Sequence, residues 1–337
     1  MRAFVVTGPG RAEVRHVEPP RAAPGQVVVD VERAGICGTD AEFYSGEMAY
    51  LHQGHAAYPL RLGHEWCGAV GAVGEGVDPG WIGRRVTGDT MLGCGRCRRC
   101  LAALHHVCEE RFEVGIRGGW PGALAEQLAV PARSLHALPD AVDAVAGALV
   151  EPGGNALRAV RAAALEAGDR VLILGPGTIG LLAARFALAR KAEVHVLGLS
   201  EASLQFAHTL GVHGAWSAER LPDLPFDAVI DASNAPALPA LALELVEPGK
   251  RVVYIGLSGT PSTLDTRALV LKDVTAVGIL SGSLGLAGAI EHYASGAVDP
   301  RPLVAATVGL EELADVLAGA RPAAAGPGPK IHVDPRG

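Results

Sequence analysis

Residues 170–180 read Arg-Val-Leu-Ile-Leu-Gly-Pro-Gly-Thr-Ile-Gly, an apolar run that ends in a glycine-rich turn. Val171–Leu174 carries no polar residue, the pattern of a strand buried on both faces of a parallel sheet. Gly175-x-Gly177-x-x-Gly180 follows it and opens a segment predicted to be helical over Ile179–Ala189. By itself Gly-x-Gly-x-x-Gly is a weak signal, and its plainest reading is a tight turn. Between a strand and a helix it also suits a pyrophosphate: glycines let the backbone approach the phosphates, and the helix N-terminus favours their charge. Gly175, Pro176, Gly177, Thr178, Ile179 and Gly180 are therefore the candidate dinucleotide contacts.

The same alternation continues downstream. Strands are predicted at Glu193–Leu197, Asp227–Asp231 and Arg251–Ile255, with helices at Glu201–Leu210 and Leu238–Leu245. This β-α order predicts an α/β doubly wound parallel sheet. One expected part is missing. An acidic residue about 20 residues beyond the first glycine usually binds the adenosine ribose. Here the second strand runs into Gly198, Leu199 and Ser200. Losing that carboxylate removes repulsion toward a 2′-phosphate, yet no arginine follows to bind one. Ser200 and Ser203 are the remaining polar candidates, and the reading leans from NAD toward NADP.

Upstream the texture differs. Val27–Val31 and Gly68–Gly74 read as short strands separated by many turn signals, which predicts a β-rich domain with long loops. The change comes at Glu151-Pro152, after which a helix is predicted from Asn155 to about Ala167. The expected organisation is a first domain over 1–150, a dinucleotide domain over 151–285, and a segment 286–337 returning to the first. That last segment holds a helix at Leu310–Leu317 and a short strand at Lys330–Val333. A chain of 337 residues is long enough for two domains, because single cores usually stop growing near about 250–300 residues.

Composition narrows the function classes. Hydrophobic residues make up 49% and charged residues 19%, a globular balance. The net charge of −7, with no basic arm or aromatic-laced basic stripe, gives no sign of a nucleic-acid partner. The most apolar stretch, Val171–Ala184, is too short and glycine-rich for a membrane span. No secretory leader is visible, so a cytoplasmic location is expected, with reduced thiols available for metals.

Six cysteines are present, and four fall at Cys94-x2-Cys97-x2-Cys100-x7-Cys108. Four soft donors at short spacing fit a tetrahedral zinc site with no open position, hence a structural one; an iron–sulfur cluster takes similar donors. Four unrelated buried thiols are the plainer reading, and the clustering disfavours it. A second set is Gly35-Ile-Cys37-Gly-Thr39-Asp40 with Gly63-His64-Glu65 and the distant Glu151. A lone Cys or His is more often packed than functional. Together they offer donors for a catalytic metal, which needs three protein ligands and an open position, with Asp40 able to orient the histidine.

These motifs, in this order ahead of the glycine-rich fingerprint, resemble the zinc-containing medium-chain dehydrogenases over essentially the whole chain. The resemblance implies a GroES-like β-rich catalytic domain joined to a Rossmann domain, two zinc ions per chain (one catalytic, one structural) and NAD or NADP as cofactor. It implies that Cys37 and His64 bind the catalytic zinc and that the substrate proton leaves through the Thr39 hydroxyl. Simple alcohol dehydrogenases have a cysteine where this chain has Glu151. The glutamate resembles the polyol, threonine and glucose branch, in which either this residue or the one at Glu65 approaches the metal. Glu65 is equally readable as a carboxylate beside the metal with no bond to it.

Glu42 occupies the place of a relay histidine and is a candidate proton carrier or substrate contact; its plain reading is an exposed side chain. His52, His55 and Trp66 could face the cleft, and Cys67 reads as a small buried thiol. By position in such a fold, the loops at Ile255–Ser258 and Ile279–Ser281 line the nicotinamide side. The expected activity is reversible oxidation of a secondary alcohol of polyol, sugar or cyclitol type to the ketone. A simple alcohol or an amino alcohol such as threonine is the alternative substrate, and a non-catalytic dinucleotide-binding homologue the alternative from another class. The partner is a small-molecule alcohol or ketone, and a homotetramer or dimer is the family expectation.

Overall fold

The computed structural model describes residues 1–337. Its two large sheets explain the two textures of the sequence. The apolar strand Arg170–Leu174 lies inside a six-stranded sheet, where Val171, Leu172, Ile173 and Leu174 are fully buried. The sheet order is Gly214–Trp216, Glu193–Leu197, Arg170–Leu174, Phe226–Asp231, Val246–Tyr254 and Thr275–Gly278, all in parallel pairs. Numbered along the chain, that order is 3-2-1-4-5-6, the dinucleotide-binding topology, whose switch point falls between Arg170–Leu174 and Phe226–Asp231. Helices on both faces cover it, and the helix Thr178–Ala189 packs against Val150–Ala163.

The helix Val150–Ala163 corrects the expected boundaries of 155–167 at both ends. Pro152 sits in the first turn, where its missing N–H costs no internal hydrogen bond. The helix stops early because Ala164 adopts a left-handed conformation, φ 52°. Glu151 is thereby a helical residue rather than part of a loop.

The other large sheet is built around two long antiparallel strands, Gln26–Gly35 and Glu65–Val73. The first extends past the expected Val27–Val31 at both ends; the second starts three residues before the expected Gly68–Gly74 and ends one short of it. Arg85–Gly88 and Leu135–Ala137 continue the sheet beyond Glu65–Val73, while Gln127–Pro131 pairs with residues 26–30 on the opposite edge of Gln26–Gly35. Further along that edge lies the chain's last strand, Lys330–Val333, antiparallel to Gln26–Gly35, with Val304–Val308 parallel beyond it. Phe4, Leu62, Trp66, Leu124 and Val333 meet in the core of this body. No helix is long and apolar enough to cross a membrane.

Candidate active site

The end of one β-ladder assembles the first cluster. Gly35 pairs with Glu65, so Cys37 and His64, just beyond the last pair, are brought face to face. His332 also pairs with Gly35, which places Lys330 at the same end. The ligand atoms of Cys37, His64 and Glu65 all lie within 4.8 Å of one another. Gly35 is required here by crowding: a β-carbon on it would lie 2.2 Å from Glu65 Oε2. Cys37 caps the helix Gly38–Ser45, and its backbone N–H donates to Asp40 Oδ2 at 2.9 Å. Asp40 also accepts from the Gly63 N–H at 3.2 Å, and its Oδ1 lies 3.8 Å from His64 Nδ1, which has no hydrogen-bond partner.

Charge decides what this cluster wants. Asp40, Glu65 and Glu151 are all buried, as is His64. Burial raises Asp40, and it pushes Glu151 up to about 7, with Glu65 adding repulsion and His64 partly offsetting both. Burial opposes charge on His64, but Asp40, Cys37 and Glu151 together hold it well above the ordinary imidazole range. The one buried ammonium is Lys330, whose Nζ lies 2.8 and 2.7 Å from the two Glu65 oxygens and donates to the Ile36 carbonyl at 2.7 Å. In the metal-free protein the buried carboxylates beyond the Lys330 pair are balanced by protons, on His64 and, near neutral pH, on Glu151, and a divalent cation would take the place of those protons. A sulfur–nitrogen–oxygen donor set in such a setting fits zinc.

Glu151 lies outside the tight triad but close enough to be felt by His64 and Glu65. Asn155, one turn along the helix, donates to Glu151 Oε1 at 2.9 Å and to its carbonyl at 3.1 Å. That leaves Oε2 free.

The four cysteines form a second cluster with every ligand atom within 4.8 Å of the others. Cys94 and Cys100 sulfurs are 3.9 Å apart, and those of Cys97 and Cys108 3.8 Å. A tetrahedron with arms of about 2.3 Å has edges of about 3.8 Å, so the thiols already stand at zinc spacing. They are not disulfide-bonded. Gly93 admits the packing, since a β-carbon there would lie 2.8 Å from the Cys100 sulfur.

In the six-stranded sheet, Gly175 has φ +99°, a conformation that favours glycine, and a β-carbon on Gly180 would lie 1.9 Å from the Gly175 carbonyl. Gly177 begins the helix Thr178–Ala189, and a β-carbon on it would meet nothing within 4 Å, leaving room for phosphate above the helix terminus. Gly198 is buried against Pro176: a β-carbon there would be 2.6 Å from Pro176 Cγ. Ser200 caps the next helix by accepting from the Ser203 N–H, and their hydroxyls are 2.9 Å apart, so both are partly engaged.

Thr39 is half-buried on the first turn after Cys37. Glu42 is exposed, raised by burial of its carboxyl and by Glu47, and has no side-chain partner among the hydrogen bonds. His52 is exposed and lies 3.0 Å from the Gly46 carbonyl, while His55 meets Tyr50 edge-on. Trp66 belongs to the core and walls no cleft; Cys67 is fully buried, its thiol pushed up by burial. Sequence reasoning missed Lys330 and Asn155. The i, i+4 spacing on the helix signalled Asn155 once the helix start was right. Nothing local signalled Lys330, whose partner is 265 residues away.

Residues 23–140 match the family described as the alcohol dehydrogenase GroES-like domain, and residues 178–295 the one described as zinc-binding dehydrogenase. The 2-dehydro-3-deoxy-L-galactonate 5-dehydrogenase of Pseudoalteromonas atlantica is 32% identical over 317 residues, 90% of this chain and 89% of that protein. The L-threonine 3-dehydrogenase of Idiomarina loihiensis is 33% identical over 276 residues, 78% of this chain and 79% of its own. Among solved structures, the alcohol dehydrogenase rspB of Escherichia coli, complexed with NADH, covers 99% of each chain with TM-score 0.90 and 25% identity. A zinc-binding dehydrogenase of Sinorhizobium meliloti bound to NADP covers 99% of each with TM-score 0.89 and 28% identity.

Proposed function

The chain belongs to the zinc-binding alcohol dehydrogenase family with a GroES-like domain, and from that premise we propose that it oxidises a polyhydroxylated secondary alcohol, such as a sugar acid, sugar or polyol, reversibly to the ketone. The observation that carries this reading is the ligand triad of half-buried Cys37 with buried His64 and Glu65, beside the buried carboxyl of Glu151, with no cysteine in the place of Glu151. Residues 1–150 with the returning segment 286–337 would carry the metals, and residues 151–285 the dinucleotide.

When bound, zinc supplies Lewis acidity at the alcohol oxygen and the nicotinamide ring accepts the hydride. Cys37, His64 and Glu65 would hold the ion, with Asp40 holding Cys37 and Gly63 in place and its charge facing His64. Glu151, held by Asn155 on one oxygen, keeps the other for the ion or a substrate hydroxyl. The Thr39 hydroxyl, next to Cys37 and half-buried, passes the substrate proton outward. Gly175–Gly180 takes the pyrophosphate at the helix N-terminus. Cys94, Cys97, Cys100 and Cys108 would hold the structural zinc.

The absence of a carboxylate at Gly198 supports NADP over NAD, and a tenfold or greater preference for NAD in kcat/KM would overturn that part. The strand Thr275–Gly278 is a free sheet edge, and Val270 and Leu271 beside it are 78% and 85% exposed. Such an edge supports a homo-oligomer, dimer or tetramer, testable by light scattering. Screening sugar acids, polyols, L-threonine and simple secondary alcohols with both cofactors tests the substrate class. Best turnover on L-threonine or a monohydric alcohol would sink the polyol reading. Cys37→Ala should abolish turnover with the fold retained, and activity surviving it would sink the metal chemistry.

A further inference from the structure

Asp89 belongs to neither metal cluster. It is 6% exposed, yet its two oxygens serve three partners from three parts of the chain. Oδ1 accepts from the Met91 N–H at 2.9 Å and from the Ser283 hydroxyl at 2.8 Å. Oδ2 lies 2.7 Å from His105 Nε2. His105 sits between Cys100 and Cys108 in the four-cysteine loop. Ser283 is 194 residues away, in the loop 279–285 after the strand Thr275–Gly278.

That second loop is pressed onto the helix that carries Glu151. A β-carbon on Gly282 would lie 2.7 Å from the Glu151 carbonyl oxygen, and one on Gly285 2.1 Å from the Gly154 carbonyl oxygen. Arg158, two turns along from Glu151, donates to the Ser281 carbonyl at 2.5 Å and also to that of Leu280. Ser281 has φ +67°, a left-handed conformation that a residue other than glycine holds only when its surroundings enforce it. Its hydroxyl lies 3.0 Å from that of Ser283. A continuous path of contacts thus runs from the four-cysteine loop through Asp89 to the backbone around Glu151.

We propose that Asp89 is a positioning residue that latches the four-cysteine loop to the loop 279–285, and through it holds Glu151 and the nicotinamide side of the cleft in register. The importance of the cleft rests on the dehydrogenase reading; the latch itself is a contact between loops. A carboxylate suits the role because it is an acceptor on both oxygens and can bind a hydroxyl, a backbone N–H and an imidazole at once. Asparagine can stand in for it. Its carbonyl oxygen serves Met91 and Ser283, and its amide donates to a neutral His105 Nε2.

Hydrogen exchange on the full-length, zinc-loaded chain, read by mass spectrometry over residues 275–285, tests the latch. Ser283→Ala and His105→Ala should each speed exchange across 279–285 about tenfold, an opening made easier by one hydrogen bond lost. The double variant should exchange no faster than the faster single, because both break one link. Asp89→Asn should stay near wild type. In turnover, the single variants should raise KM for the dinucleotide several-fold with a smaller change in kcat. Wild-type exchange in His105→Ala, or additive effects in the double variant, would overturn the latch. Exchange needs no substrate. A closed latch in a chain without dehydrogenase activity would sink the functional reading alone, and an active chain whose loop ignores His105 would sink the latch alone.

Discussion

Lys330 Nζ lies 2.7 and 2.8 Å from the two carboxylate oxygens of Glu65, and both side chains are almost wholly buried, at 3% and 2% exposed. The last strand of the chain therefore neutralises a carboxylate that begins a strand near its start. Replacing a buried pair by apolar groups is often tolerated, but removing one partner strands the other. Lys330→Met should lower stability by about 3–5 kcal/mol, read by denaturant unfolding. Lys330→Met combined with Glu65→Gln should recover most of that loss while lowering zinc toward one ion per chain. A double variant as unstable as the single would show that the pair contributes through packing rather than charge.

Glu151 gives a prediction in proton counts. Burial lifts its carboxyl to about 7, so in the metal-free protein it is largely protonated below pH 7 and ionised above. A cation bound nearby favours the ionised form. Zinc uptake at pH 6 should therefore release up to one proton more through this residue than uptake at pH 8. Calorimetry in buffers of different ionisation enthalpy measures it. Glu151→Gln should remove the extra proton. An unchanged count in that variant would place Glu151 beyond reach of the metal.

The sequence displayed most of the fold because its strongest signals are local. Val171–Leu174 and the glycines after it are adjacent, and the four cysteines fall within one loop, so spacing alone conveyed both. Cys37 and His64 were legible as motifs, but their meeting depends on Gly35 pairing with Glu65. The start of the helix at Val150 is hidden because its first turn, Glu151-Pro152-Gly153-Gly154, carries no apolar spacing to announce it. Lys330 and the Asp89–Ser283 contact are products of long-range closure, and no periodicity announces either.

His332 makes stability depend on pH. It is fully buried, neither ring nitrogen has a partner, and burial, with Lys330 and Arg33 nearby, holds it down to about 3. The unfolded chain takes up a proton below about 6.5, and the folded chain does not until about 3. The folded state bound fewer protons in that window, so this contribution is complete above pH 6.5 and is lost as the pH falls toward 3. His332→Leu should flatten the pH dependence between 6.5 and 3 and leave stability at pH 8 equal or higher, as two unsatisfied polar atoms disappear. Unfolding curves at several pH values check this, and an unchanged slope would contradict it.

Gly198 invites an obvious substitution that the packing forbids. An aspartate there brings a β-carbon to 2.6 Å from Pro176 Cγ and 3.1 Å from Leu204 Cδ2. Gly198→Asp should raise KM for both dinucleotides and lower the melting temperature instead of switching preference. Leu199 is fully exposed. Leu199→Asp should discriminate against NADP by about tenfold, near 1.4 kcal/mol, without loss of melting temperature. A clean switch to NAD in Gly198→Asp would show that Pro176 yields.

Because the strand Lys330–Val333 lies against Gln26–Gly35, the sheet of the first 150 residues is finished only once residues 330–333 are made. A nascent chain that has emerged through residue 300 holds Cys37, His64 and Glu65 but not the lysine that neutralises Glu65. At about 5–20 residues per second, translation from residue 150 to Val333 keeps that half waiting for roughly 10–35 s. The dinucleotide half, complete in its own sheet by Gly278, has no such wait. On the ribosome, the folding order should therefore run against the direction of synthesis, with the centre of the chain folding before its beginning.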